Sequence, residues 1–541
     1  MQSTKPGSRR SFLKGVAASP ILLVAQSPST ALASTHGVPG QAMGPSTQTE
    51  PYLLPSITGA RTVAILTVGD SVGGYRMVGI PDGLGAFRSG PGEFTLLMNH
   101  EITANPAGIV RAHGSNGAFV SRWTIDADTL KVIRGQDHTS SPNQVFQWDP
   151  VNKRYFQGTT QWQRLCSADL AAESAFFAHG LGTRERIFMD GEEVTDNCRA
   201  WARIATGPHA GEAWQLPRLG QMSFENAVAC PHPQEKTIVM CTDDSSINTA
   251  PIVTNRPSEV YVYVGKKHRS GNVIEQAGLT NGSLFGVAMS VDGHAVGGES
   301  DLFGLGDATT GYVGKGRFNL VSLGDQGDVS ALNALQLEQA SIQAGVTRLQ
   351  RPEDGAWDPR EKRHNDFYFV TTASETQNCR LWRLRFDDIE SPEMGGSVEI
   401  LLRGDEGHKM LDNVTIDRLG RILMDEDPGN SARISKVWLY AIDTRQFIQV
   451  AAHNPKFFDG STPNNPNFIT QDEETSGVLD VGHILGEGWF LLDVQAHKVN
   501  TADPELVEGG QLLALFVDPG VGLADCRDDR DDDDDDRRRH R

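Results

Sequence analysis

The chain has 541 residues, 38% of them hydrophobic and 22% charged, with a formal net charge of −20. That length buries more than a small single core. The acid excess argues against a nucleic-acid or anionic-membrane partner, which would call for a basic face. An anionic substrate would have to be held by local cations, whether arginines or metals.

Ser8-Arg9-Arg10-Ser11-Phe12-Leu13-Lys14 reads as a twin-arginine export motif, followed by an apolar run from Val16 to Ala25 and the small-x-small triplet Ala31-Leu32-Ala33. Pro20 interrupts the apolar run, which is too short for a stable membrane anchor. Residues 1–33 are therefore predicted to be a signal peptide. The twin-arginine export machinery is the expected partner, and the periplasm or the exterior the expected location. Residues 34–58 read as a linker, 59–524 as the folded domain, and 525–541, an Asp/Arg run, as a disordered charged tail. No later segment is apolar enough for a transmembrane helix.

Within the domain a short strand, an Asp-centred turn and a second short strand keep returning. Examples are Phe119 to Ile133, Val145 to Phe156, Asn226 to Cys241, Gly355 to Val370, Asn413 to Met424 and Val437 to Val450. Each pairs two apolar, β-branched or aromatic runs through Asp, Pro, Asn or Gly. So many hairpins predict an all-β fold that hides its sheet edges by radial repetition, a β-propeller with long loops and a few short helices such as Gln336 to Gly345. A pair of sandwiches is the alternative. The six cysteines form no CxxC or zinc-type pair and read as buried thiols, although Cys230 and Cys241 flank one hairpin. Walker, complete GxGxxG and HExxH motifs are absent, and no serine-hydrolase elbow is expected.

Acids gather at the edges of these segments. "FTLLMNHE" ends in Asn99, His100 and Glu101; "QRLCSADL" offers Cys166 and Asp169; "MSFENAVACP" places Glu225 before a hairpin that ends in Asp243 and Asp244. "RPEDG" supplies Arg351, Glu353 and Asp354, and "LDNVTIDRLGRILMDED" carries Asp412, Asn413, Asp425, Glu426 and Asp427. Taken singly these are solvated turn or capping acids, His100 is a packing residue and Cys166 a buried thiol. Taken together they suit Ca2+, which takes 6–8 oxygen ligands, while a thiolate among them suits a transition metal. Cys166, Asp169, Glu225, Asp243, Glu353, Asp425 and Glu426 are the candidate metal ligands.

In order along the chain, the twin-arginine leader, "NHE", a cysteine followed by an acid, "FEN", "RPE" and "DN…G…ED" resemble the PhoX-type alkaline phosphatases. The resemblance implies a six-bladed propeller that hydrolyses phosphate monoesters with calcium and iron (Fe3+). Carried onto this sequence, it makes Cys166 an iron ligand and Glu225 an iron or shared ligand. Glu353 would bind metal, Arg351 would hold the phosphate, and Asn99 would lie near it. The phosphatases follow their cysteine with paired glutamates, where this chain has Ser167 and Ala168, and their "RPEG" is "RPED" here. These departures mark a divergent branch. Two other functions compete: a calcium-dependent propeller hydrolase of lactones or phosphotriesters, and a non-catalytic propeller that binds a cell-envelope partner.

Overall fold

All six of those hairpins form as antiparallel strand pairs. Three of their turns are held by the aspartates that open them. Asp126 accepts from the Thr129 N–H at 2.8 Å, Asp149 from Val151 and Asn152 at 2.9 and 3.1 Å, and Asp417 from Leu419 and Arg421 at 3.0 and 2.9 Å. In each case the carboxylate takes up turn N–H groups that the sheet leaves free. The computed structural model describes residues 40–195, 197–245, 258–299 and 314–523. The expected signal peptide and the charged tail lie outside these residues.

The strands assemble as six blades, and six innermost strands line a central channel. They are Pro81–Gly90, Leu165–Leu170, Phe224–Ala229, Pro352–Trp357, Leu411–Ile416 and Glu473–Asp480, numbered here as blades 1 to 6. Each packs on the next, and the sixth packs on the first, so the circle closes. Outward from these strands each blade adds antiparallel partners. Blade 1 continues through Glu93–His100, Phe119–Asp126 and Val132–Asp137. Between blades 3 and 4 the strand Lys315–Ser322 pairs with both outer edges and joins the two into one sheet.

Each of the six blade interfaces has its own apolar cluster. Between blades 1 and 6 it contains Leu84, Leu96, Trp123, Leu491 and Leu512; between blades 3 and 4, Val228, Met240, Phe367, Phe369 and Trp382. Since both faces of a blade are covered, strands such as Ile187–Glu192 and Phe224–Ala229 are buried at every position. At roughly 25 cal/mol per Å2 of apolar area removed from water, these interfaces are the main stabilising term.

The chain ends close the circle. Ala60–Thr67 pairs antiparallel with Gly509–Val517, so blade 6 is built from both ends of the domain. Leu53–Pro55 adds an edge strand to blade 5, and Gln41–Met43 lies parallel to Ala60–Thr67. The expected linker over 34–58 is therefore, in its described part, edge structure of two blades. Its strands are only three residues long, too short for an alternation signal to emerge. The expected helix forms over Ala334–Ala344, with an Asn333 capping box and a left-handed Gly345 at its end. All five described cysteines are buried, and none is joined to another by a disulfide. No helix among the described residues is long and apolar enough to cross a membrane.

Candidate metal centre

In every blade the second residue of the innermost strand falls at the same level, and in all six it is a potential ligand: Asp82, Cys166, Glu225, Glu353, Asp412 and Glu474. A break in strand register brackets the first five and begins two residues after the sixth. Bulges of this kind re-aim side chains and end pairing at functional rims. The neighbouring strand of each blade ends beside this position, and the residue just past its end is Glu101, Glu193, Asp244, Thr372, Asp427 or His497. Five of these six are ionisable.

The two series meet. Potential ligand atoms of Asp82, Glu101 and Cys166 lie within 4.8 Å of one another, as do those of Cys166, Glu193 and Glu225, of Glu225, Glu353 and Asp412, and of Asp412, Asp427 and Glu474. Consecutive groups share Cys166, Glu225 and Asp412, so one arc of donors runs from blade 1 to blade 6. Gln495 spans the remaining gap and donates to Asp82 Oδ2 at 2.9 Å and Glu101 Oε2 at 3.1 Å.

Two arginines enter this arc. Arg351 places Nε and Nη2 on Asp244 at 2.6 and 2.8 Å and lies 3.0 Å from Glu353. Arg164 is ion-paired with Glu101 at 2.7 Å and with Glu193. Each precedes its blade's ligand by two residues, and each has a left-handed backbone, with φ of +52° and +42°. Ile80 and Met410, two residues ahead of Asp82 and Asp412, share that conformation. A non-glycine residue held there costs about 1 kcal/mol or more. Its recurrence in four blades marks a shared way of turning the chain into the channel.

Two guanidiniums and His497 are far outnumbered by the carboxylates. Burial and the charges of Glu353, Glu193 and Asp82 push Glu225 well above the usual carboxylate range. Burial and Asp244 do the same to Glu353, and burial with Glu101 to Asp82. Burial raises Glu193 to about 8, against the pull of Arg164, and raises Glu474 to about 7 with help from Asp427. Burial, then Asp82 and Glu225, push the Cys166 thiol up; it donates to Asp82 Oδ2 at 3.5 Å. Burial opposes charge on His497, but Glu474 and Glu508 outweigh it and raise its pKa well above the ordinary value.

This donor set fits divalent cations. The two groups containing Cys166 add a sulfur that suits a transition metal, while the other two offer oxygen alone, as Ca2+ prefers. Buried acceptors close to the arc also lack a partner: among the described residues no hydrogen bond reaches Asn99 Oδ1, Gln495 Oε1 or either oxygen of Asp493.

Of the residues singled out from the sequence, Glu101, Cys166, Glu225, Asp244, Arg351, Glu353, Asp412 and Asp427 come together here. Asn99 lies just behind, fully buried, and donates to the Cys166 carbonyl at 2.8 Å. It holds the blade 2 strand. Asp169, Asp243, Asp425 and Glu426 fall outside all four groups. Asp169 sits three residues further along the blade 2 strand, accepts from Ala229, and lines the continuation of the central channel, a cavity of about 370 Å3, with Leu84, Val228, Trp357 and Ile416. Asp243 caps Ser223 and Ser245. Asp425 accepts from the Asn413 N–H, one level below the arc. Glu426, on the opposite side of its strand, pairs with Arg433 and Trp438. In blade 5 the arc takes Asp412 and Asp427 instead.

Asp82, Glu193, Glu474, Arg164 and His497 escaped notice in the sequence. A signal for Asp82 was present: "IPDG" (Ile80–Gly83) stands where blade 4 has "RPED". The letters of a GxSxG elbow do occur at Gly69–Gly73, but Ser71 is exposed on a two-residue hairpin strand with no helix behind it.

Gly83 is required by close approach. A Cβ there would lie 2.5 Å from the Ala168 nitrogen and 2.6 Å from the Ser167 carbonyl carbon. Gly83→Ala is expected to cost about 1–3 kcal/mol through overpacking. It would also spread Asp82 from Cys166. A lowered unfolding midpoint together with weakened cation binding, read by calorimetry, checks this.

The fold and the arc together define a six-bladed β-propeller with an arc of potential cation ligands drawn from all its blades. No family model matches the chain, and no curated protein does. Among solved structures the chain is similar to PhoX of Pseudomonas fluorescens, solved in complex with vanadate, a transition-state analogue. The TM-score is 0.58 at 12% identity, covering 86% of this chain and 98% of that one. A gluconolactonase of Xanthomonas campestris aligns with a TM-score of 0.37 at 9% identity over 86% and 94%. The likeness to PhoX is one of fold.

Proposed function

We propose that the protein is an exported metal-dependent phosphatase that hydrolyses phosphate monoesters at the donor arc. The observation that carries this reading is four ligand groups, joined through Cys166, Glu225 and Asp412, with an anchored arginine beside them. Glu225, Glu353, Asp412, Asp427 and Glu474 would hold calcium; Asp82, Glu101, Cys166 and Glu193 would complete the groups suited to iron. Bound cations supply charge neutralisation for phosphoryl oxygens and activation of an oxygen nucleophile.

The chain's own residues do the rest. The carboxylates fix the positions of positive charge in a buried site where water screens little. Asp244 grips the Arg351 guanidinium through two hydrogen bonds and presents it beside Glu353 with little rotamer freedom left to lose. Arg351 can then hold the phosphoryl oxygens in the bound substrate and in the transition state alike. Export through the leader at residues 1–33 belongs to the same reading, since twin-arginine export carries a protein already folded around its cofactors.

Arg351→Ala is expected to raise KM for an aryl phosphate about 10- to 100-fold with a smaller loss in kcat, the value of one charge-assisted contact. Unchanged kinetics would remove Arg351 from the site. Hydrolysis of a lactone with no action on phosphate esters, in the calcium-loaded protein, would overturn the reading as a whole.

A further inference from the structure

Arg164 and Arg351 are equivalent residues of a repeat. Both stand two positions ahead of a donor, on blades 2 and 4, with left-handed backbones. Both spend Nε and Nη2 on carboxylates: Arg351 on Asp244 and Glu353, Arg164 on Glu193 and Glu101. Among the described residues, nothing accepts from Nη1 of either. Their side chains remain 39% and 26% exposed, unlike the buried arginines Arg203 and Arg421. Glu193 pairs with Arg164 and its charge also acts on Arg351, so the two guanidiniums share one local field. Between their blades stands Glu225, common to two donor groups.

We infer that Arg164 and Arg351 form a clamp on a single phosphoryl group seated over Glu225, so that the site selects a terminal, doubly charged phosphoryl group over a diester. This rests on the function proposed above. A monoester dianion has three unesterified oxygens, enough to meet both free guanidinium edges and still face the cations. A diester has two such oxygens and one negative charge. Each arginine is already immobilised by its carboxylates, so binding the anion orders little further. The clamp also provides the positive charge an anion needs to approach an arc of carboxylates.

The test is calorimetric titration of inorganic phosphate into the calcium-loaded full chain. R164K keeps a positive charge between Glu101 and Glu193 but loses the fork, since an ammonium is a point donor that those two acids occupy. R164K and R351K are each expected to weaken phosphate binding about 10-fold or more while bound calcium stays at the wild-type level. R164Q is expected to weaken it at least as much, which covers the case in which R164K folds poorly. Phosphate affinity within about 2-fold of wild type in both Arg164 variants, with R351K impaired, would overturn the clamp and leave the proposed function standing. A loss that tracks lost calcium would assign Arg164 to holding the arc and also overturn the clamp. Wild-type protein that binds calcium but no phosphate would overturn both.

Discussion

Glu225→Ala is expected to lower kcat/KM for an aryl phosphate by at least about 1000-fold and to reduce the bound cations by more than one kind of site. The reason is its double membership. Glu225 belongs to the group with Cys166 and Glu193 and to the group with Glu353 and Asp412. Glu353→Ala removes a member of one group and is expected to abolish turnover, but with cation loss confined to the all-oxygen side. Losses of this size are typical where a metal neutralises charge in the transition state. Steady-state kinetics paired with metal analysis of the same preparations separates the two variants. Equal metal losses would contradict the shared role of Glu225.

Removing cations is expected to have the second-largest effect, and its sign is set by the raised carboxyl pKa values. Glu474 is pushed up to about 7 and Glu193 to about 8, from an ordinary value near 4.5. A carboxyl whose folded pKa is raised binds its proton more tightly in the folded state. Its contribution is complete below about pH 4.5 and is lost as pH rises through the folded value. The cation-free protein should therefore lose stability between about pH 5 and 8, on the order of 3 kcal/mol from Glu474 alone. Calcium competes with those protons, so its binding should strengthen over the same interval and reverse the loss. Unfolding midpoints measured across that range with chelator and with calcium check both halves. A chelated protein that becomes more stable from pH 5 to 8 would contradict the assignment.

Much of this architecture was legible because hairpin chemistry is local. Asp126, Asp149 and Asp417 announce their turns in sequence and cap them in space. The edge strands Leu53–Pro55 and Gln41–Met43 were not legible, since they are paired by distant partners and carry no periodicity of their own. The site divides the same way. Cys166, Glu225 and Glu353 stand in short strings with a recognisable order, whereas Asp82 is marked only by the likeness of Ile80–Gly83 to Arg351–Asp354, and Glu474 ends the acidic run Asp472-Glu473-Glu474, from which only its level in the channel singles it out. Asp425 and Glu426 look as promising as Asp427 in the sequence. Position along the strand sorts them: Asp425 falls one level below, Glu426 turns to Arg433, and only Asp427 reaches the arc. Arg164 gave no sign because its partners, Glu101 and Glu193, come from two different blades.

Elemental analysis of the purified full chain, repeated on Glu225→Ala, tests the proposed binding of cations by the arc most directly. The wild-type protein is expected to retain calcium and a transition metal through dialysis, and the variant to lose both. A wild-type protein that holds neither after exposure to calcium, yet hydrolyses aryl phosphate undiminished in chelator, would contradict it.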